Sequence, residues 1–315
     1  MSVIAPPVSV DVRVEHAVVA RRLRPAPSLL RDYVALTKPR IIVLLEITAL
    51  AAMVMGARGW PGTWRVVATL AGGALAAGGA NAINMWFDRD IDRAMGRTCS
   101  RPIPSGRISA GAALGFGIAL GVAAFVLLAL AVNLLSAVLA VSALLFYVGV
   151  YTMWLKRSSM QNIVIGGAAG AVPPLVGIAA VSGRLDVTAL YLFAIVFFWT
   201  PPHFWALALL MRGEYERAGV PMLPVVRGTG PTRASILNYT VILAIVTILP
   251  VFAQTFGAVY AAGAVLLDAL FLAGAVRLLR DGTARAAREL FHFSLVYLAL
   301  LFAVGAADRV IGSLH

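Results

Sequence analysis

The sequence predicts an all-α polytopic membrane protein. Three observations carry that expectation. The 315-residue chain is 61% hydrophobic and only 13% charged, which is not the balance of a soluble globule. Its apolar residues gather into runs that approach or exceed the roughly 20 residues a helix needs to cross a hydrocarbon core. The runs also lack the alternation of a barrel strand, and an open sheet in lipid would leave backbone groups unpaired.

Nine spans are expected, at 41–57, 64–86, 110–130, 133–154, 160–181, 187–211, 235–254, 257–276 and 290–308. Several connections are short enough to make neighbouring helices antiparallel. The N-terminal arm and the loops after spans two, four, six and eight hold all but four of the 26 Lys and Arg residues. The exceptions are Arg58, Arg65, Arg184 and Arg309. The positive-inside rule therefore sets the N-terminus in the cytoplasm and the C-terminus outside, in the inner membrane of a cell. An even number of spans would spoil this asymmetry. The net charge of +12 then describes mostly one membrane face. It fits anionic membrane lipid or a polyanionic substrate arriving from the cytoplasm, and argues against nucleic acid as a partner.

Residues 1–30 carry Pro, Arg and scattered acids without an apolar core, and are expected to be a mobile cytoplasmic arm, not a cleaved signal peptide. Residues 31–315 are expected to form a single transmembrane domain. The only cysteine, Cys99, excludes an intramolecular disulfide and an all-cysteine metal site. The second and fifth spans hold the small residues Gly72, Gly73, Gly78, Gly79, Gly166, Gly167 and Gly170, which permit close helix contact. The longest internal polar segments, 87–109 and 212–234, follow spans two and six.

The first of these segments opens with chemistry. Asn84, Asp88 and Asp92 stand four apart, so on a helix they share one face about 80° wide with about 6 Å of rise per step. Three oxygen-bearing side chains on one stripe suit a hard cation such as Mg²⁺. That ion takes a few carboxylates and completes its shell with water and substrate phosphate. Asp90 points away from this stripe and reads, with Arg89 and Arg93, as scaffolding. Gly96 and Pro102 interrupt the helix, so Arg97 and Arg101 are expected in a loop folded back over the metal, where guanidinium forks match phosphate oxygens. A solvated helix end laced with weak Asp–Arg pairs is the competing reading.

The run Asn84-x-x-x-Asp88-x-x-Ile91-Asp92-x-x-Met95-x-Arg97-Thr98-x-x-Arg101-x-x-x-x-Gly106 resembles the signature of the UbiA-type intramembrane prenyltransferases. The resemblance implies nine helices around a central cavity, Mg²⁺-dependent ionisation of an isoprenyl diphosphate, and prenyl transfer to an acceptor. It implies catalytic and metal roles for Asn84, Asp88 and Asp92, and diphosphate binding by Arg97, Arg101, Lys156 and Arg157. Lys156 and Arg157 could instead only anchor span four.

Further motifs narrow the acceptor: TKPRI (37–41), YTMWLKR (151–157), GGAAGAVPPLVG (166–177), FFWTPPHFWALAL (197–209), EYERAGVPMLPVVRG (214–228) and RELFHFSLVYLALLF (288–302). Over about 31–309 they resemble the protoheme-farnesylating subfamily. That implies farnesyl diphosphate and heme B as substrates, heme O as product, and a heme A-forming enzyme as a downstream partner. Where many UbiA-type members carry a second aspartate-rich motif, this chain offers only Glu214 and Glu216, so Glu214 is the candidate for a second metal. His203 is a candidate porphyrin contact, or a packing histidine bonded to backbone freed by Pro201 and Pro202. Tyr151 is a candidate acceptor contact or an interface aromatic. Trp199, Phe204 and Trp205 suit a cavity wall or plain packing, and His292 reads as structural. Glu46 and Asp268 are intramembrane acids with no role legible in sequence. A related enzyme acting on an aromatic or quinone precursor is the alternative, and a secondary transporter the alternative of another class.

Overall fold

Among the described residues, 29–313 of a computed structural model, nine helices are long and apolar enough to cross a membrane. They are Pro39–Ala57, Thr63–Phe87, Ala110–Ala131, Leu134–Ser158, Asn162–Ser182, Val187–Leu210, Thr229–Phe252, Ala258–Asp281 and Ala284–Ile311. The expected N-terminal arm lies, up to residue 28, outside the described residues. Short helices sit at Leu29–Thr37 before the first span, Arg89–Ala94 after the second, and Arg212–Arg217 and Leu223–Val226 after the sixth.

Helix ends follow the sequence where a capping side chain is present. Ser109 Oγ accepts from Ala112 N (3.2 Å), Asn133 Oδ1 from Ser136 N (2.8 Å), Asp186 Oδ1 from Ala189 N (2.9 Å) and Thr283 Oγ1 from Ala286 N (3.2 Å). The seventh and ninth spans begin well before their apolar runs, at Thr229 and Ala284. Gly228, at φ 82°, and the Thr283 cap stop these helices, and the polar turns between cap and apolar run remain helical. Hydropathy marks where a helix meets lipid and not where it starts.

Spans two and three approach closely, as do spans one and five, where a Cβ added at Gly177 would lie 2.4 Å from Ala49 O. A Cβ added at Gly79 would lie 2.7 Å from Gly117 O, and one at Gly117 would lie 2.6 Å from Ile83 Cγ1. Removing both side chains lets the two backbones meet. At the other end of the chain, Asp268 receives its explanation. Its carboxylate accepts from Thr247 Oγ1 and Tyr297 Oη, both at 2.6 Å, so one buried acid ties spans seven, eight and nine. Asp308 caps the eighth span, accepting from Gly257 N (2.7 Å) and Tyr260 N (3.1 Å).

The spans enclose a central cavity of about 310 Å³, walled mainly by spans one, two, four, five and six. The fourth span turns π-helical over Phe146–Leu155. Its wider turn directs Tyr147 and Tyr151 at the cavity and Thr152 at the rim beside Asn84. Gly79→Ala is expected to destabilise the fold by about 1–3 kcal/mol, because backbone must move to admit the methyl. Gly115→Ala, which opens onto free space on the third span, should leave stability unchanged or higher. Thermal unfolding in detergent checks both.

Candidate active site

The site forms where the second span ends. Asp88 stands at the junction of Thr63–Phe87 and Arg89–Ala94, with φ −82° and ψ 9°. The backbone bonds Asp88 N to Asn84 O (2.9 Å) and Asp92 N to Asp88 O (2.8 Å) persist across it. The four-residue register therefore survives, and Asn84, Asp88 and Asp92 are all buried, at 3%, 1% and 2% exposure. A solvated helix end leaves its carboxylates to water, whereas these are buried.

Each buried group has cationic company. Lys156 Nζ donates to Asp88 Oδ2, and Asn84 Nδ2 donates to the same oxygen (2.7 Å) and to Thr152 Oγ1 (3.1 Å). Lys38 Nζ donates to Asn84 Oδ1 (2.7 Å). Arg101 Nη1 reaches both oxygens of Asp92, at 2.7 and 2.9 Å. Lys38 and Lys156 are the only two lysines in the chain, and both converge here. Asn81 Nδ2 fixes the approach of Lys38 by donating to Thr37 O (2.9 Å). Lys38 itself takes a left-handed φ of 53° ahead of Pro39.

The loop of 95–109 folds back over this cluster, as its breakers suggest. Thr98 Oγ1 donates to Asp92 O (3.1 Å), and Arg107 Nε donates to both oxygens of Asp32 on Leu29–Thr37. Arg97 is exposed and forms no ion pair among the described residues, so its fork is free. Arg157 is differently employed. It gives two 2.7 Å hydrogen bonds to Asp90 and stacks over Phe87, while Asp88 Oδ1 lies 3.7 Å away. The Arg157 bonds hold the Asp90 carboxyl far below the usual carboxylate range. Arg89 donates to Trp86 O, a helix-end contact.

Across the rim, Glu214 Oε2 is buried without a hydrogen-bond partner among the described residues, and Glu216 is exposed. Tyr215, next to Glu214, packs in one buried cluster with Ile91, Met95 and Tyr151, which brings Glu214 to the same rim. Burial raises the pKa of Tyr215. Tyr151, Trp199 and Phe204 line the cavity, whereas Trp205 packs edge-on against Tyr239. His203 lies outside that lining. It is stacked between Trp199 and Phe291, at 4.3 and 4.8 Å, and its Nδ1 is 2.6 Å from Ser294 Oγ. Because Ser294 Oγ donates to Phe291 O, His203 is the donor in that pair. Its partner is a side chain and not the backbone freed by the prolines, a placement that supports the packing reading. His292 is exposed.

Sequence reasoning passed over Lys38, Thr152 and Asn81 as site residues. The signal for Lys38 was its rarity: one of two lysines in an arginine-rich chain. Thr152 and Asn81 were isolated polar residues inside apolar runs, which is a weaker cue.

No group of three or more His, Cys, Asp or Glu able to hold a metal occurs among the described residues. The donor set nevertheless fits Mg²⁺ shared with a diphosphate. Asp88 Oδ1 is buried with no hydrogen bond, Asp92 is buried beside it, and hard oxygens dominate.

Residues 45–301 match the UbiA prenyltransferase family. The chain belongs to the UbiA prenyltransferase family. Relatives of this family member include the protoheme IX farnesyltransferase of Symbiobacterium thermophilum, 54% identical over 87% of this chain and 92% of that protein. The protoheme IX farnesyltransferase of Roseiflexus sp. strain RS-1 is 55% identical over 90% of this chain, but the chain spans only 53% of its length. A UbiA homologue from Archaeoglobus fulgidus, solved with DMAPP and Mg²⁺, shares the fold with TM-score 0.64 at 19% identity. The match covers 87% of this chain and 98% of that one. The UbiA fold is therefore shown for this chain.

The lysine at the centre of the UbiA-type cluster yields a pH signature. Burial, reinforced by the Arg101 and Lys156 charges, lowers the Lys38 pKa to about 7 against the pull of Asp88 and Asp92. An unfolded lysine titrates near ~10.4. Between the two values the unfolded chain holds more protons, so the metal-free protein should gain stability as pH rises from 7 toward 10. Thermal melts across that range should show the gain in the wild type and lose it in Lys38→Met.

Proposed function

We propose that the chain transfers the farnesyl group of farnesyl diphosphate to a vinyl group of heme B, with addition of water, to make heme O. The observation that carries this reading is the buried trio Asn84, Asp88 and Asp92, joined by the half-buried Lys38, Arg101 and Lys156, at the mouth of an apolar cavity. Such a cluster suits a polyanionic head with an apolar tail. Similarity above 50% to protoheme IX farnesyltransferases supports heme as the acceptor.

In this reading Asp88, Asp92 and Asn84 hold Mg²⁺, with Glu214 the residue for a second ion. Bound Mg²⁺ would supply positive charge against the negative charge that develops on the leaving diphosphate. Lys38, Lys156, Arg97 and Arg101 bind the diphosphate oxygens, and Arg157 fixes Asp90 at the rim. The C1–oxygen bond breaks and its electron pair leaves with the diphosphate. The vinyl π pair then forms the new carbon–carbon bond at C1. Water adds to the cation left on the porphyrin side chain and its proton returns to solvent. Tyr147, Tyr151, Trp199 and Phe204 line the path and keep bulk water from the allylic centre beforehand. His203 takes a packing role against Ser294 and Phe291.

The distribution of Lys and Arg supports an inner-membrane setting with this site at the cytoplasmic face and the C-terminus outside. A heme A-forming enzyme would consume the product. Purified protein given heme B, farnesyl diphosphate and Mg²⁺ should form a more hydrophobic heme, seen by chromatography. Chelation should stop it, and Asp88→Ala or Asp92→Ala should reduce turnover by at least about 10²-fold. Prenylation of a hydroxybenzoate or naphthoate acceptor, with heme B inert, would overturn the acceptor. Full turnover in the Asp variants would overturn the site.

A further inference from the structure

The cavity below the charged cluster is walled in part by small residues, among them Ala76, Ala80, Ala140, Gly167 and Gly170, but its deeper part is not wholly apolar. Two side chains there carry buried polar atoms with no hydrogen-bond partner among the described residues: Glu46 Oε2 on the first span and Thr69 Oγ1 on the second. Thr69 is 1% exposed. Glu46 Oε1 lies over Gly73, where an added Cβ would be only 3.0 Å away, so the carboxyl sits at the level of Gly73. Neither residue takes part in the chemistry at the rim.

Their depth is measurable along the second span. The helix rises about 16 Å from Gly73 to Asn84, and Thr69 lies one further turn down. A metal–diphosphate head followed by an extended farnesyl chain spans a comparable length. Glu46 also borders a second, outward groove lined by Val43, Ile47, Leu70 and Leu120, and among the described residues no other borders both spaces. The side chain therefore stands in the wall that separates the central cavity from the lipid-facing side of spans one and two.

Resting on the prenyl-diphosphate reading above, we propose that Glu46 and Thr69 close the tail channel and set the longest prenyl chain this protein accepts. A tail that ends above them leaves both polar groups free to hold water. One isoprene unit more lays alkyl carbon against an unpaired carboxyl and hydroxyl, which costs binding because a buried polar group without a partner is strongly disfavoured. The same overlong tail also finds its way into the outer groove blocked by the Glu46 side chain.

Binding of the unreactive S-thiolodiphosphates of farnesol and geranylgeraniol, with Mg²⁺ and no heme, tests this in the detergent-solubilised full chain. Wild type is expected to favour the farnesyl analogue. Glu46→Ala should raise the geranylgeranyl-to-farnesyl affinity ratio on the order of tenfold while holding the farnesyl analogue nearly as wild type. Thr69→Val should shift it less, in the same direction, and Glu46→Gln should keep the wild-type ratio. An unchanged ratio in Glu46→Ala, with both analogues bound, overturns the channel stop and leaves the prenyltransferase reading standing. Failure of the wild type to bind either analogue overturns both.

Discussion

Everything at the charged end of this bundle depends on how it buries charge. Lys38 reaches Asn84, Asn84 reaches Asp88, and Asp88 receives Lys156, so the ends of spans one, two and four are joined through one chain of polar contacts. Buried ion pairs are a poor means of stabilising a fold, because desolvation offsets much of their attraction. Their presence here, at the mouth of a greasy cavity, makes sense if the charges wait for a further partner. Asp88 keeps one oxygen without a hydrogen bond, Arg97 is unpaired among the described residues, and Glu214 keeps a buried oxygen free. The cluster is satisfied enough to fold and incomplete enough to bind.

The bundle serves that arrangement. Gly79 and Gly117 let spans two and three close up, which fixes the helix that carries the acid stripe. The π-helical stretch of span four re-aims Tyr147, Tyr151 and Thr152 toward the centre. The Asp268 contacts and the Asp308 cap tie the last three spans to one another. Loop 95–109 is drawn over the top by Arg107–Asp32 and Arg101–Asp92.

The nine spans were legible because a helix in lipid must satisfy its own backbone and therefore writes itself as a long apolar run. The acid stripe was legible because a spacing of four is a local property of one helix. What escaped was set by neighbours distant in sequence. Nothing near Lys38 says that it meets Asn84, 46 residues on, and nothing near Arg157 says that Asp90 will engage it. His203 illustrates the same limit. Its position in an apolar span invited a substrate role, while its partner, Ser294, lies 91 residues away. Helix starts at Thr229 and Ala284 were misplaced because hydropathy reports contact with lipid and polar turns continue a helix beyond it.

On our proposal the buried acids and the half-buried cations beside them form one shared site for a divalent ion and a diphosphate. Mn²⁺ in place of Mg²⁺ reports on it directly through its electron paramagnetic resonance signal. Titrated into the purified protein, Mn²⁺ should bind tightly only when farnesyl S-thiolodiphosphate is also present, and this joint binding should be lost in Asp88→Asn. Mn²⁺ binding that ignores the analogue, or that is as tight in Asp88→Asn as in the wild type, would contradict the account.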